Sequence, residues 1–317
     1  MTGRCVMESL ILRNYRDTDA TAVSQLFREV YGDHYVQTDV YMPCLINQNH
    51  ADKRWHSLVA VEGERILGHA TLYRESENSH DAELALSAVH PDTRGKNIAT
   101  RLGGQLLTHA QALGCRSVSI KQVTHHPYTQ RMAISLGFHN TGLLPDFVRS
   151  PFGCKKPESI VLGVHAIDGY QRPLPEQAWP TSCRPLMQRL SAVFGVGAGA
   201  GRWRGASVQV QQHGNRHEMW LEKLNPELLD QLRSLPGHWL ISIRLQLSRH
   251  FAVDLHSLNG IGFVFTGLAP AQDNRGGWLA LFHRGYRTRR LTLHCPHMQQ
   301  LHDQAQRHIT RLAVPAT

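Results

Sequence analysis

The 317-residue sequence lacks several features that define whole classes of protein. No run approaches 18 uninterrupted apolar residues, which excludes a helical membrane span. The first residues contain no apolar segment typical of a secretory signal. The six cysteines are scattered and form no C-x-x-C pair, so neither a disulfide scaffold nor a zinc finger is indicated. We therefore expect a soluble globular protein of the reducing cytoplasm.

Histidine is abundant, with 21 residues, but its spacing does not indicate a metal site. The best candidates are His294-x-x-His297 with Cys295, and the pair His125-His126. Each lacks a convincing third ligand, whereas a structural zinc ion takes four. We predict that the protein binds no metal.

Negative charge is scarce in the second half of the chain. Residues 1–165 contain 17 Lys and Arg against 16 Asp and Glu, and the remainder contains 17 against 9. A basic half could bind nucleic acid or an acidic partner. Because its basic residues are dispersed rather than clustered, we favour a solvated surface and expect no nucleic-acid partner.

Hydrophobic periodicity predicts an α/β domain over residues 1–166, with a mixed central sheet flanked by helices. A strand at 9–15 precedes a helix from Asp17 to Tyr31 and a short helix after Pro43. The later elements are strands at 57–62, 65–73 and 82–89, a helix at 96–113, a strand at 116–121, a helix at 127–136, and strands at 138–143 and 159–165.

Residues 167–205 are predicted as a Pro/Gly-rich linker with one short helix at 186–194. The run Gly195–Gly201 could be mistaken for a dinucleotide loop, but a helix rather than a strand precedes it, which favours a flexible linker. Residues 206–317 are predicted as a smaller α/β domain. Its elements are strands at 206–212, 218–224, 239–247, 263–268 and 278–283, and helices starting at Asn225, at 248–258 and at 297–312.

One internal match connects the two domains. The nine residues from Gly137 to Pro145 recur from Gly262 to Pro270 with six identities, and the predicted elements around both copies agree. We infer that the second domain is a shortened relative of the first. Coincidence in a common turn is the alternative.

A candidate anion-binding loop, Arg94-Gly95-Lys96-Asn97, lies between the fourth strand and the long helix. The first amides of a helix have no internal partner and carry positive partial charge. Gly95 allows a ligand close to the backbone, while Arg94, Lys96 and Arg101 add positive charge. These are the properties of a pyrophosphate cradle, although a well-capped surface helix would share them.

This block resembles motif A of the GNAT superfamily of N-acetyltransferases, whose pattern is Gln/Arg-x-x-Gly-x-Gly/Ala. Arg94-x-x-Asn97-x-Ala99 fits two of the three fixed positions, and Asn97 stands where the family usually has glycine. The resemblance covers roughly residues 9–165. Within it, Gly68-His69-Ala70 and the segment 123–130 (Val-Thr-His-His-Pro-Tyr-Thr-Gln) are similar to one branch of the superfamily, which implies no particular substrate.

The resemblance implies an acyl-CoA cosubstrate, most simply acetyl-CoA. The backbone of Ala88 and Val89 would pair with the pantetheine arm as an added strand. The pyrophosphate would lie against the amides of Gly95, Lys96, Asn97, Ile98, Ala99 and Thr100.

The resemblance also places a general base at Glu83, six residues before Val89. The acceptor amine must lose a proton in order to attack the thioester. Period-two geometry would put Glu83, Ala85, Ser87 and Val89 on one face of the strand. A salt bridge or an ordinary exposed residue is the alternative for Glu83.

The leaving thiolate often takes a proton from a tyrosine four residues before the Gly-Phe pair in this family, but Ala133 occupies that position here. His125 or His126 could supply the proton, because histidine titrates near neutral pH. His126 could equally replace the asparagine that contacts pantetheine. Both could also be ordinary residues at the start of a helix.

The family resemblance implies that the first helices and their loop line the acceptor site. The candidate residues there are Tyr31, His34, Tyr35, Tyr41 and Met42. Local acidity is modest, so a polyamine acceptor is not indicated. We expect an N-acyltransferase acting on an amine of a small molecule or peptide, with the second domain closing over the acceptor or forming a homodimer. A CoA-sensing or interaction module without turnover is the alternative.

Overall fold

The computed structural model describes residues 9–153, 155–197, 201–213, 216–271 and 277–313. The predicted order of elements in the first half is confirmed, and strand β6 is longer than predicted. These elements are β1 (Ile11–Asn14), α1 (Ala20–Tyr31), α2 (Pro43–Ala51), β2 (Trp55–Glu62), β3 (Arg65–Tyr73), β4 (Asp81–Val89), α3 (Ile98–Ala112), β5 (Ser117–Val123), α4 (Tyr128–Ser135), β6 (His139–Val148) and β7 (Glu158–Ala166).

The strands of this half form a mixed sheet in the order β1-β2-β3-β4-β5-β7-β6. Strands β4 and β5 are parallel, and the other neighbours in this part of the sheet are antiparallel. The β4–β5 register runs only from Asp81↔Ser117 to Leu84↔Ile120. Both strands continue beyond Leu84 and Ile120 without pairing to each other, so a gap opens in the sheet between their carboxyl-terminal halves.

Helices cover the two faces of this sheet. One apolar cluster packs α3 against residues such as Leu58, Leu72 and Leu84. The other packs α1 and α2 against residues such as Val59 and Leu86. We call these the α3 face and the α1 face. Among the described residues, no helix combines the length and apolarity that a membrane span requires.

A β-bulge interrupts β4 in front of the gap. His69 of β3 pairs with Ala88, and Thr71 pairs with Ala85, which leaves two residues of β4 opposite one of β3. Leu86, at the bulge, has a left-handed φ of 50°. Because the extra residue reverses the alternation of side chains, the prediction that Glu83, Ala85, Ser87 and Val89 share one face is wrong.

The segment between the two halves is packed more closely than a free linker. It contains β8 (Leu174–Pro175), α5 (Arg184–Phe194) and β9 (Val196–Gly197), and β8 pairs with β9. Residues of α5 belong to the largest apolar cluster of the molecule. The predicted flexible run from Gly195 is therefore ordered as far as Gly197, and residues 198–200 lie outside the described part of the chain.

The predicted elements of the second half are also confirmed. They are β10 (Val208–His213), β11 (Arg216–Leu221), α6 (Pro226–Ser234), β12 (Leu240–Gln246), α7 (Phe251–Asn259), β13 (Val264–Pro270), β14 (Trp278–Arg284) and α8 (Pro296–Ala313). The strand order β13-β14-β12-β11-β10 and its directions match β6-β7-β5-β4-β3, including one parallel pair, β11–β12. Helices α6 and α7 occupy the same places in the chain order as α3 and α4.

The two halves share one sheet of twelve strands, joined where β6 meets β13. The joining pair is Gly142↔Gly267, antiparallel. These glycines are also equivalent positions in the two matching nine-residue segments. The Thr141 hydroxyl donates to the carbonyl of Leu268 across the junction, at 2.9 Å. A Cβ on Gly142 would lie 2.6 Å from that same carbonyl oxygen, so the close approach of the strands requires glycine.

Candidate active site

The N-terminus of α3 has the open backbone of an anion site. Gly95 has φ of 85°, and an added Cβ there would meet no atom within 4 Å. The first bond into the helix is from the Arg101 amide to the carbonyl of Asn97. Within the described chain, no acceptor lies in hydrogen-bond reach of the amides of Ile98, Ala99 and Thr100. Donors are therefore free to bind a phosphate group at this point.

Asn97 caps this helix in the left-handed conformation, with φ of 57° and ψ of 24°. Asparagine is one of the few residues other than glycine that tolerates these angles. The departure from glycine in the motif therefore keeps the backbone geometry that glycine would supply. The Asn97 side chain makes no capping hydrogen bond, so it does not block the helix amides.

The charged side chains of this loop face solvent, whereas the residues that begin the loop are held by hydrogen bonds. Arg94 and Lys96 are exposed, and no acidic residue is present in the first turn of α3. The start of the loop is built around buried His90, whose Nε2 lies 2.9 Å from the Arg65 guanidinium and whose carbonyl accepts from the Thr93 hydroxyl at 3.0 Å. The result is an open, positively charged cradle on a rigid support.

The equivalent helix in the second half, α6, has a closed N-terminus. The Asn225 side chain accepts from the Leu228 amide at 2.8 Å, Pro226 has no N–H, and Glu227 places a negative charge in the first turn. Strands β11 and β12 also pair continuously from Arg216↔Leu240 to Leu221↔Leu245, so no gap opens between them. In its described residues, the second half thus has neither an open helix N-terminus at α6 nor a gap between its two parallel strands.

Glu83 lies on the α1 face of the sheet, whereas Val89 packs on the α3 face. The Glu83 carboxylate forms an ion pair. Its Oε2 is 2.8 Å from Nζ of Lys121 on β5, and its side chain is 22% exposed. Glu83 therefore fits both a general base and a salt bridge, because its carboxylate is partly open to a ligand and has a cation beside it.

The second half contains a buried counterpart of this pair. Glu83 pairs in register with Ser119, and Glu218 pairs in register with Ser242. Glu218 bonds to Arg244, two residues after Ser242, as Glu83 bonds to Lys121 two residues after Ser119. Glu218 also bonds to Arg216 and is 5% exposed at its side chain, so that no acceptor could reach it.

Three of the predicted acceptor residues form one aromatic wall on the α1 face. The Tyr31 and Tyr35 rings lie 4.8 Å apart, and the Tyr41 hydroxyl accepts from the Tyr35 amide at 2.9 Å. Burial raises the pKa of Tyr31 to about 12 and raises that of Tyr35 as well, with Tyr31 and Glu83 adding to the effect at Tyr35. These two phenols therefore stay protonated at neutral pH.

Tyr31 also contacts the bulge, because its hydroxyl donates to the carbonyl of Ser87 at 3.0 Å. On the other side of the bulge, Nδ1 of fully buried His69 is 2.9 Å from the carbonyl of Leu86. Burial lowers the pKa of His69 to about 4, so this histidine is neutral. Two side chains thus hold the bulge, one from α1 and one from β3.

The loop after β6 completes the wall. The Phe152 ring lies 5.6 Å from Tyr31 and 5.1 Å from His125. His34, exposed on its own loop, lies against Gly153, since a Cβ there would be 3.1 Å from the His34 Nε2. Met42, the residue before α2, is exposed. The loop therefore connects the wall to His125 through Phe152 and contacts His34 through Gly153.

His125 and His126 have different surroundings. Nδ1 of His125 is 3.2 Å from Oε2 of Glu158, a residue of β7 whose side chain is 11% exposed. Desolvation lowers the pKa of His126, and the neighbouring His125 lowers it further. His126 Nδ1 is buried without a hydrogen-bond partner in the described part of the chain. Ala133 has no acidic group and is fully buried in the core of the α3 face, so the leaving thiolate could receive no proton at this position.

Sequence reasoning missed Lys121, Phe152 and Glu158. From the sequence, Lys121 looks like any exposed strand residue, and Phe152 lies in a loop that has no hydrophobic periodicity. Glu158 meets His125 only because β5 and β7 are neighbours. No local signal in the sequence marks these three, since each acts through a contact across the sheet or loop.

Residues similar to the superfamily branch have structural contacts in this fold. His69 holds the bulge, and fully buried Gln130 accepts from the His294 amide at 3.0 Å. The second contact anchors the segment before α8, including His294 and Cys295, to α4. No group of three His, Cys, Asp or Glu side chains in the described ranges is placed to hold a metal ion.

Comparisons with known proteins find a similarity in the first half of the chain. Residues 20–138 match the family model described as the acetyltransferase (GNAT) family. No curated protein matches the chain significantly. Among solved structures, a putative GNAT acetyltransferase from Desulfovibrio desulfuricans is similar at 16% identity and TM-score 0.42, over 50% of this chain and 99% of that one. A putative acetyltransferase from Salmonella typhimurium, solved with its cofactor acetyl-CoA, is similar at 19% identity and TM-score 0.42, over 55% and 99%. The ribosomal-protein-S18-alanine N-acetyltransferase from Escherichia coli is similar at 13% identity and TM-score 0.42, over 55% and 98%. The match to the GNAT acetyltransferase family model is confined to residues 20–138 of the chain.

Proposed function

We propose that the first domain transfers an acyl group, acetyl from acetyl-CoA, to an amine of a small molecule or peptide by direct attack on the thioester. The observation that carries the proposal is the open N-terminus of α3 directly beside the gap between β4 and β5. A pyrophosphate and an extended thiol arm need such a cradle and such a gap, side by side.

The donor would be held by backbone groups. The amides from Gly95 to Thr100 would bind the pyrophosphate, supported by Arg94 and Lys96. The free edge of β4 at Ala88 and Val89 would pair with the pantetheine arm, because β5 has left that edge unpaired. These contacts would place the thioester near the bulge, whose carbonyls Tyr31 and His69 hold.

The acceptor would approach from the α1 face. Glu83 would take a proton from the ammonium group of the acceptor, and the amine so formed would attack the thioester. Glu83 would have to release Lys121 in order to contact the acceptor. His125, oriented by Glu158, would give a proton to the leaving thiolate, with His126 as the alternative donor or as a pantetheine contact. The wall of Tyr31, Tyr35 and Phe152, with Tyr41 and His34 at its edge, would hold the rest of the acceptor.

We further propose that residues 206–317 are a shortened copy of the first domain that has lost the donor site. The matching strand order, the paired glycines and the equivalent ion pairs support a common origin. The capped α6 and the continuous β11–β12 ladder argue against a second acyl-CoA. Its role would be to complete the sheet.

A CoA-sensing module without turnover is the second candidate. Ala133 in place of an acid and Glu83 in an ion pair are the observations that favour it. Release of CoA in the presence of any amine would eliminate this candidate.

The test of donor binding is calorimetric titration with acetyl-CoA. Gly95→Tyr fills the cradle, and Gly114→Tyr is its matched control, because Gly114 ends the same helix with φ of 72° and equally open space. We expect binding in the parent and the control, and a loss of at least about tenfold in affinity for Gly95→Tyr. Equal titrations in all three proteins would refute the assignment, and no binding in the parent would refute the donor itself.

A further inference from the structure

Lys121 presents an amine to the proposed base. Its Nζ is 2.8 Å from Oε2 of Glu83, and its side chain is 43% exposed. This distance is a charge-assisted hydrogen bond, the contact that an acceptor ammonium would make before losing its proton. The chain thus contains a primary amine in the position that the proposed reaction assigns to its acceptor.

The location of Lys121 places that amine at the opening of the gap. The last pair between β4 and β5 is Leu84↔Ile120, so Lys121 is the first residue of β5 beyond the shared ladder. Ser119 pairs with Glu83, and Lys121 lies two residues further on the same strand, hence on the same face. The thioester would enter from the unpaired edge of β4 opposite this residue.

A second Lys–Glu pair shows that pairing alone is not unusual. Lys53 Nζ lies 2.5 Å from Oε1 of Glu77, and its side chain is 58% exposed. Lys53 lies in the turn between α2 and β2, and β3 separates β2 from β4, the strand that borders the gap. Lys53 is therefore more exposed than Lys121 and equally paired, but it has no donor site beside it.

We propose that Lys121 is itself an acyl acceptor, so that the domain acetylates its own Lys121. This inference rests on the proposed acyltransferase function. Glu83 takes a proton from the Lys121 ammonium, the amine nitrogen bonds to the acyl carbon, and the carbon–sulfur bond breaks. The thiolate leaves with the electron pair and takes up the second proton that the nitrogen gives up as the amide forms, which gives free CoA and N-acetyl-Lys121.

The product changes the site electrostatically. An amide nitrogen carries no charge, so acetylated Lys121 no longer pairs with Glu83. The carboxylate is then free for an external ammonium, and the site loses the cation that competed with it. Self-acetylation of Lys121 would therefore activate the domain toward its external acceptor.

The experiment measures acetyl occupancy of each lysine by peptide mass spectrometry during incubation of the full chain with isotope-labelled acetyl-CoA and no added amine. We expect Lys121 to be labelled at least about tenfold faster than Lys53, and we expect Glu83→Gln and Gly95→Tyr to reduce Lys121 to the Lys53 rate. Thermal melting of both variants confirms that they are folded, and Gly114→Tyr serves as the control for strain.

Two outcomes would overturn the inference in distinguishable ways. If acetyl-CoA binds, or CoA is released with an added amine, while Lys121 is labelled no faster than Lys53, the proposed function stands and self-acetylation is refuted. If the parent does not bind acetyl-CoA at all, the proposed function falls and this inference falls with it.

Discussion

Replacing Arg172 with alanine should destabilise the protein strongly. Its side chain is 2% exposed and lies between the two halves of the chain. The guanidinium is 2.7 Å from Oδ1 of Asp81 and 3.2 Å from the Ser117 hydroxyl. It also donates to the carbonyls of Ala271 and Gly277, at 3.1 and 3.0 Å.

The magnitude follows from what the substitution leaves behind. Removing one partner of a buried ion pair costs about 3–5 kcal/mol. Asp81 is 26% exposed at its side chain and regains part of its hydration, which lowers the cost. The two carbonyls add little to this cost, because that of Gly277 still accepts from the Ala271 amide at 2.8 Å and that of Ala271 is only partly buried. We expect a loss of about 4 kcal/mol in the free energy of unfolding.

Urea unfolding at pH 7 measures this loss, with Arg233→Ala as the control. Arg233 pairs with Asp230 at 2.6 Å, but both side chains are more than half exposed, so its removal should cost below about 1 kcal/mol. Arg172→Met separates charge from packing, because it retains an apolar stem near Trp278. The reasoning would be refuted if the free energies of unfolding of Arg172→Ala and Arg233→Ala differed by less than about 1 kcal/mol, because Arg172 would then contribute no more than a surface pair.

Three further changes test the site and its surroundings. Glu83→Gln should lower kcat/KM about 10²–10⁴-fold in a CoA-release assay while the Kd of acetyl-CoA stays constant, and Glu77→Gln should change neither; an equal loss in both would contradict the base assignment. Asn97→Gly should preserve acetyl-CoA affinity in calorimetry, whereas Asn97→Val should lose about tenfold because a branched residue at positive φ is strained by about 1–2 kcal/mol; equal affinities would contradict the left-handed cap. His69, with its pKa lowered to about 4, stays neutral when folded but is protonated below about pH 6.5 when unfolded, so its contribution to stability falls as pH drops from 6.5 toward 4, by about 2 kcal/mol at pH 5. The difference between urea midpoints at pH 7.5 and 5 should shrink in His69→Gln but persist in part, because buried His283 has a lowered pKa as well; an unchanged difference would remove His69 as a cause.

The sequence predicted the elements well because periodicity and capping are local properties. The loop at Gly95, the helix after it and the residues of the aromatic wall all come from short segments. The relation of the two halves was also visible, because six of nine residues repeat around Gly142 and Gly267.

The features that sequence reasoning missed depend on how strands pair. Alternation assumes one residue of β4 for each residue of β3, so the bulge at Leu86 could not be counted from the sequence. The pairing of Lys121 with Glu83 depends on β4 and β5 being neighbours. Arg172 lies in a proline-rich segment with no periodic pattern, and only the folded chain reveals that this residue is buried among four partners.

The Gly142–Gly267 junction has a consequence for assembly. Equivalent residues of two similar units meet there in antiparallel register, which is how two identical chains would meet about a twofold axis. Here the partner is covalently attached, so its effective concentration does not change on dilution. The junction therefore keeps the two halves together in a fixed ratio, and an ordinary dimer would lose this contact as protein concentration falls.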